Sequence, residues 1–135
     1  MILNIDCDGV LLRNRHEHAL NTKVAREHLS YDDRSPVWDW YDTLINTNPL
    51  PINIPLLKSL ALMRDEGHTL RLWTNRGHSL KSATMRNLDG WTHLFDTTTF
   101  YGGRKHLFNV EGVVIDNHSR YLHCGDSGIL YPSFD

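Results

Sequence analysis

The feature that most constrains this fold is an apolar run that halts at small polar or acidic residues. It occurs three times. Met1-Ile2-Leu3-Asn4-Ile5 stops at Asp6-Cys7-Asp8-Gly9, and Thr69-Leu70-Arg71-Leu72-Trp73 stops at Thr74-Asn75-Arg76-Gly77. Val113-Val114-Ile115 stops at Asp116-Asn117. Short apolar runs bounded by turn residues read as buried strands. Asp96 to Tyr101 and Gly128 to Tyr131 read as two further strands.

Helical patterns fill the intervals. Leu20, Val24 and Ala25 give one weak apolar face. In the next stretch Ser35 suits a cap, Pro36 the first helical position, and Val37, Tyr41, Leu44 and Ile45 share a face. After the punctuation Asn48-Pro49-Leu50-Pro51, a third helix has Pro55 near its start, Gly67 past its end, and Leu56, Leu60 and Met63 as its stripe. His78 to Leu88 predicts a fourth, with Leu80, Ala83, Thr84 and Leu88 on one side and Gly90 as its stop.

Strands alternating with helices predict an α/β fold: a Rossmann-like three-layer sandwich around a mostly parallel sheet. A chain of 135 residues with 40% hydrophobic and 22% charged residues suits one ordered domain, residues 1–135. Fourteen basic against sixteen acidic residues exclude a broad basic surface for nucleic acid, though not a local patch. No apolar run approaches the ~20 residues that span a bilayer. The first residues do not form a secretory leader, and two cysteines, Cys7 and Cys124, fit a reduced chain; the expectation is a cytoplasmic protein of unassigned oligomeric state.

In parallel sheets the ligand site lies outside the carboxyl ends of the strands. Those ends carry Asp6 and Asp8, Thr74 and Asn75, and Asp116 and Asn117. Three carboxylates in one cleft repel each other unless a cation joins them, and oxygen donors favour Mg²⁺. Mg²⁺ keeps room for water and a substrate phosphate. Thr74 offers a hydroxyl, and the following helix start offers free N–H groups. Lys105, beside Arg104, is the candidate to neutralise the phosphate.

These segments resemble the four motifs of the haloacid dehalogenase superfamily, in its phosphatase branch. Asp6-Cys7-Asp8-Gly9-Val10 is similar to the first motif and Leu70-Arg71-Leu72-Trp73-Thr74-Asn75 to the second. Lys105 is similar to the third, and Val113-Val114-Ile115-Asp116-Asn117 to the fourth. The resemblance runs from Ile2 to Asn117, and it makes residues 14–50 a small helical cap inserted after the first strand. It implies a Mg²⁺-dependent phosphoric monoester hydrolase. Asp6 would be the nucleophile that forms an aspartyl-phosphate, and Asp8 the general acid and then base. Asp6, the Asp8 carbonyl and Asp116 would hold Mg²⁺. Thr74, an N–H near Asn75, and Lys105 would hold the phosphate. Asp8 also sets the chain apart from dehalogenases, which lack that second aspartate.

Two departures stand out. The acid that usually accompanies Asp116 is replaced by Asn117, and the next acid is Asp126. The interval from Lys105 to Asp116 leaves little room for the usual helix, so Arg104 and Arg76 compete with Lys105 for the phosphate. The small cap implies an open site for a polynucleotide end or a phosphoprotein, while Trp38, Trp40 and Tyr41 offer either packing or a surface for a base. Similarity in outline to 5′-deoxynucleotidases favours a nucleotide or nucleic-acid-end phosphate.

Three other readings compete. Cys7 and Arg13 have the spacing of a thiol-phosphatase loop, although Val10-Leu11-Leu12 is apolar where such a loop is polar. His118, His123 and Cys124 offer zinc ligands without supporting partner spacing. The weakened fourth motif also fits a phosphate- or metal-binding protein without turnover.

Overall fold

The structure is a computed structural model that describes residues 1–13, 16–29 and 36–134, with the backbone alone at 17 and 18. Ser35, the expected cap, lies outside the described residues. Five strands form one sheet: β1 (Ile2–Ile5), β2 (Thr69–Thr74), β3 (Thr97–Phe100), β4 (Val113–Asp116) and β5 (Ser127–Leu130). Their order is β3-β2-β1-β4-β5, and every pairing is parallel. The chain moves outward from β1 through β2 to β3, then returns to the other side of β1 for β4 and β5. The gap between β1 and β4 is therefore the switch point, where a parallel sheet opens a crevice at its carboxyl edge.

The strand period of two assigns the faces. Leu3, Ile5, Leu70 and Leu72 enter the main core with Leu57 and Leu60 of α3 (Ile54–Asp65). Trp73 and Val114 enter a smaller cluster on the opposite face with Tyr121 and Cys124. Cover on that second face comes from two 3₁₀ turns, Lys105–Leu107 and Ser119–Cys124. The short interval before Asp116 thus holds a single turn where a longer one would admit a helix, and the third layer is thin.

Local chemistry explains the helix ends. Asn53 caps α3, its side chain accepting the Leu56 N–H at 3.3 Å. Leu57 and Leu60 point inward, so the buried face is rotated slightly from the expected stripe, leaving Leu56 and Met63 half-buried. The expected helix from His78 opens as a 3₁₀ turn, His78–Leu80, because the Leu80 N–H closes onto the Gly77 carbonyl. Only Lys81–Asn87 is α-helical (α4).

Residues expected to form a cap supply α1 (Glu17–Glu27) and α2 (Pro36–Thr47). Leu20, Val37, Trp38, Tyr41 and Ile45 pack on Leu80 and Ala83. Those two residues follow the carboxyl end of β2, so α1 and α2 stand over that edge of the sheet. Among the described residues no helix is long and apolar enough to cross a membrane.

Gly112 sets the approach of β4 to β1. Its φ is +93°, and a Cβ there would collide with the Ile2 carbonyl. Asp126 pins the same residue by accepting its N–H at 2.8 Å. Gly112→Ala is expected to cost about 3 kcal/mol, combining left-handed strain with a backbone clash. Urea unfolding measures it; a loss under about 1 kcal/mol would mean that the strand shifts freely.

Candidate active site

The first site loop is a tight turn. The Cys7 carbonyl accepts the N–H groups of Val10, Leu11 and Leu12, and the Gly9 N–H reaches the Leu12 carbonyl at 2.8 Å. Val10, Leu11 and Leu12 are fully buried, which anchors the turn from below. Gly9 has φ +81°, and a Cβ there would strike the Asn117 amide. Glycine is thus required for the first and fourth motif segments to approach.

Lys105 lies at the centre. Its ammonium donates to Asp6 Oδ1 at 2.9 Å and to Asp116 Oδ2 at 2.7 Å. It also stands 4.2 Å from the Trp73 ring centre and 4.5 Å from that of Tyr121. Lys105 and Asp116 are almost completely buried. Burial works to lower the Lys105 pKa, but Asp6 and Asp116 together hold it above its usual value. Burial pushes the Asp6 carboxyl up to about 7, against the pull of Lys105 and with the push of Asp116. Asn75 positions the lysine: its side chain accepts the Lys105 backbone N–H at 2.9 Å and donates to the Tyr121 hydroxyl at 2.8 Å.

The Asn117 amide shows what the remaining oxygens require. One end of it stands 3.0 Å from Asp6 Oδ2, 3.2 Å from the Asp8 carbonyl and 3.3 Å from Asp116 Oδ1. With oxygen at that end, a fourth acceptor joins the three, of which Asp116 Oδ1 also accepts the His118 N–H at 2.8 Å. With nitrogen there, two N–H groups face three acceptors. Oxygens from two carboxylates, one backbone carbonyl and one amide are the donors that a hard divalent cation takes. The residues therefore fit Mg²⁺. Among the described residues no three His, Cys, Asp or Glu side chains form a metal-binding group, and the Asp8 carboxylate faces elsewhere.

That carboxylate is held by Arg76. Nε donates to Oδ2 at 2.9 Å and Nη2 to Oδ1 at 2.7 Å, a bidentate pair. The third nitrogen, Nη1, donates to Thr84 Oγ1 at 2.8 Å. Burial opposes the Arg76 charge, but Asp8 more than offsets it and the guanidinium pKa is raised. Thr74 Oγ1 accepts the Arg76 backbone N–H at 3.1 Å, which leaves the Thr74 hydroxyl proton to donate elsewhere.

Asp6, Asp8, Thr74, Asn75 and Lys105 all line one cavity of about 680 Å³, with Asp116 buried behind Lys105. Trp38 and Tyr41 line it from α2, and both are almost fully buried, so they are packed walls with no free face for a stacked base. Trp40 does not line the cavity.

The competing assignments fare differently. Arg104 is exposed and absent from the cavity wall, whereas Arg76 is committed to Asp8 and Thr84. Lys105 is the cation beside Asp6. Asp126 binds Gly112 at the opposite end of β4, far along the strand from Asp116; Asn117 is the one that joins the site. Cys7 is fully buried, and that burial pushes its thiol far above the usual range. Arg13 lies over the Phe134 ring, 5.1 Å from its centre, and neither residue lines the cavity, so they form no thiol-phosphatase loop. Cys124 Sγ and His123 Nε2 are 3.9 Å apart, while His118 stands at the cavity against Tyr121, without a zinc cluster among the described residues.

Sequence reasoning missed the Asp8 partner and Tyr121. Arg76 sat two residues past the second strand, and that position was the available signal. Tyr121 lies in a segment with no pattern of its own. Arg76→Met leaves Asp8 without its partner and should cost about 2–4 kcal/mol in urea unfolding. Arg76→Lys should restore less than half, because lysine lacks the planar fork. Full recovery with lysine would show that charge alone matters.

Compared with known proteins, the chain matches no protein-family model and no curated protein.

Proposed function

We propose that this chain is a Mg²⁺-dependent phosphatase of the haloacid dehalogenase type, acting on a phosphate monoester through an aspartyl-phosphate. The observation that carries this reading is the convergence of Asp6 Oδ2, the Asp8 carbonyl, Asp116 Oδ1 and the Asn117 amide beside the Lys105 ammonium. It supports a nucleophile, a cation site and a fixed positive charge within one pocket.

Asp6, the Asp8 carbonyl and Asp116 would hold the ion, with Asn117 turning its oxygen inward. When bound, the ion neutralises charge on Asp6 and on the phosphoryl group, so that two anions approach. Asp6 Oδ attacks phosphorus as the bond to the leaving oxygen breaks. Asp8 is an anion while it is paired with Arg76, so it first opens from that pair and takes a proton from solvent. It then gives this proton to the leaving oxygen and takes one back from the water that cleaves the acyl phosphate. Arg76 holds the Asp8 carboxylate in the resting chain and releases it for the proton donation. Lys105 offsets charge on the transferring group, and the free hydroxyl proton of Thr74 serves one phosphoryl oxygen.

The test is hydrolysis of p-nitrophenyl phosphate with Mg²⁺, with chelator, and by variants. Asp6→Asn is expected to lower turnover by on the order of a thousandfold or more, with the melting temperature kept. Asp116→Ala should raise the Mg²⁺ concentration needed for half-activity at least about tenfold. Cys7→Ser should stay active. Turnover that survives chelator, or an active Asp6→Asn chain, would sink the mechanism.

A further inference from the structure

Among the described residues, the cavity wall carries one cation that the proposed chemistry does not use. Arg120 lies on the 3₁₀ turn Ser119–Cys124, directly after β4. Lys105 is matched by Asp6 and Asp116, and Arg76 by Asp8. Arg120 makes no hydrogen bond or ion pair among the described residues; its contact is with the Tyr121 ring, 4.8 Å from the centre. It is exposed and lines the cavity wall.

The distance from Arg120 to the reacting centre is restricted. The Lys105 ammonium stands 4.5 Å from the centre of the same Tyr121 ring. The two cations therefore lie no farther apart than those two distances together, a span that a single sugar between two phosphates bridges. Asn75 fixes the ring through the Tyr121 hydroxyl and fixes Lys105 through its backbone. Both cations are thus referenced to one side chain.

Shape agrees with charge. A volume of about 680 Å³ is far more than a phosphate group needs and suits a ligand of nucleotide size. Asn21, His118 and Arg120 also line a shallower recess of about 380 Å³, shared with Ser119. Arg120 therefore stands where the cavity meets that recess.

We propose that Arg120 is a second anion site, and that the substrate is a phosphomonoester carrying a second phosphate or a phosphodiester on its leaving group. The guanidinium fork matches two phosphate oxygens. A nucleoside bisphosphate and a phosphorylated strand end share this chemistry. The assignment of which phosphate is cleaved rests on the phosphatase reading above; the second anion site itself does not.

Two measurements separate these claims. Binding is measured by calorimetry on Asp6→Asn protein, with a nucleoside 5′-monophosphate, a nucleoside 3′,5′-bisphosphate and a 5′-phosphorylated dinucleotide. The ligands with two phosphate groups are expected to bind roughly tenfold tighter than the monophosphate, and Arg120→Ala should remove that ratio. Arg120→Lys should recover part of it, and Arg104→Ala, a surface charge of the same sign, none of the loss. A stronger ratio for the bisphosphate points to a free second phosphate, and for the dinucleotide to a strand. Equal binding of all three, or a ratio that survives Arg120→Ala, overturns the second site. Hydrolysis of the same compounds by the unaltered chain is read separately. Absence of hydrolysis with an Arg120-dependent ratio overturns the catalytic reading and keeps the second site.

Discussion

A buried ammonium group ties the proposed chemistry to the fold. Lys105 Nζ joins Asp6 after β1 to Asp116 at the end of β4, across the switch point of the sheet. Removing charges from water is costly, and here the cost is offset by two carboxylates and two ring faces. Loss of Lys105 would leave two carboxylates facing each other in the core without a cation. The arrangement therefore demands that β1, β4 and the turn after β3 be in register before the site exists. Stability and site geometry depend on the same contacts.

A second buried cation organises the side of the site beneath α2. Arg76 reaches the Asp8 carboxylate with two nitrogens and Thr84 of α4 with the third, and its guanidinium lies 5.8 Å from the Tyr41 ring centre. It thereby joins the first loop, α4 and α2. The two aspartates of the first loop are consequently divided. Asp6 faces Lys105 and the oxygen cluster, whereas Asp8 gives its carbonyl to that cluster and its carboxylate to Arg76. A peptide turn with glycine at its tip permits this split, because carbonyl and side chain leave the chain in different directions.

Much of the fold was legible in the sequence. Strand runs at Ile2–Ile5, Thr69–Thr74 and Val113–Asp116 carried their own boundaries, since apolar patterning and turn residues agree there. The third and fourth helices were legible from Pro55, Gly67 and Gly90. Less visible were the 3₁₀ turns at Lys105–Leu107 and Ser119–Cys124, whose few residues hold no period to detect. Tyr121 and Arg120 lie in one of them, which is why that part of the cavity wall escaped notice.

The sequence by itself determined which residues stand at the ends of which strands, because hydrophobic period and turn chemistry are local properties. That was enough to bring Asp6, Asp8, Thr74, Asn75 and Asp116 to one edge. Only the tertiary structure decided their partners. The assignment of Lys105 to Asp6 and Asp116, of Arg76 to Asp8, and of Asn117 to the oxygen cluster depends on distances between segments far apart in the chain. Such pairings follow from how the sheet is ordered and how the loops above it close, and no local pattern encodes them.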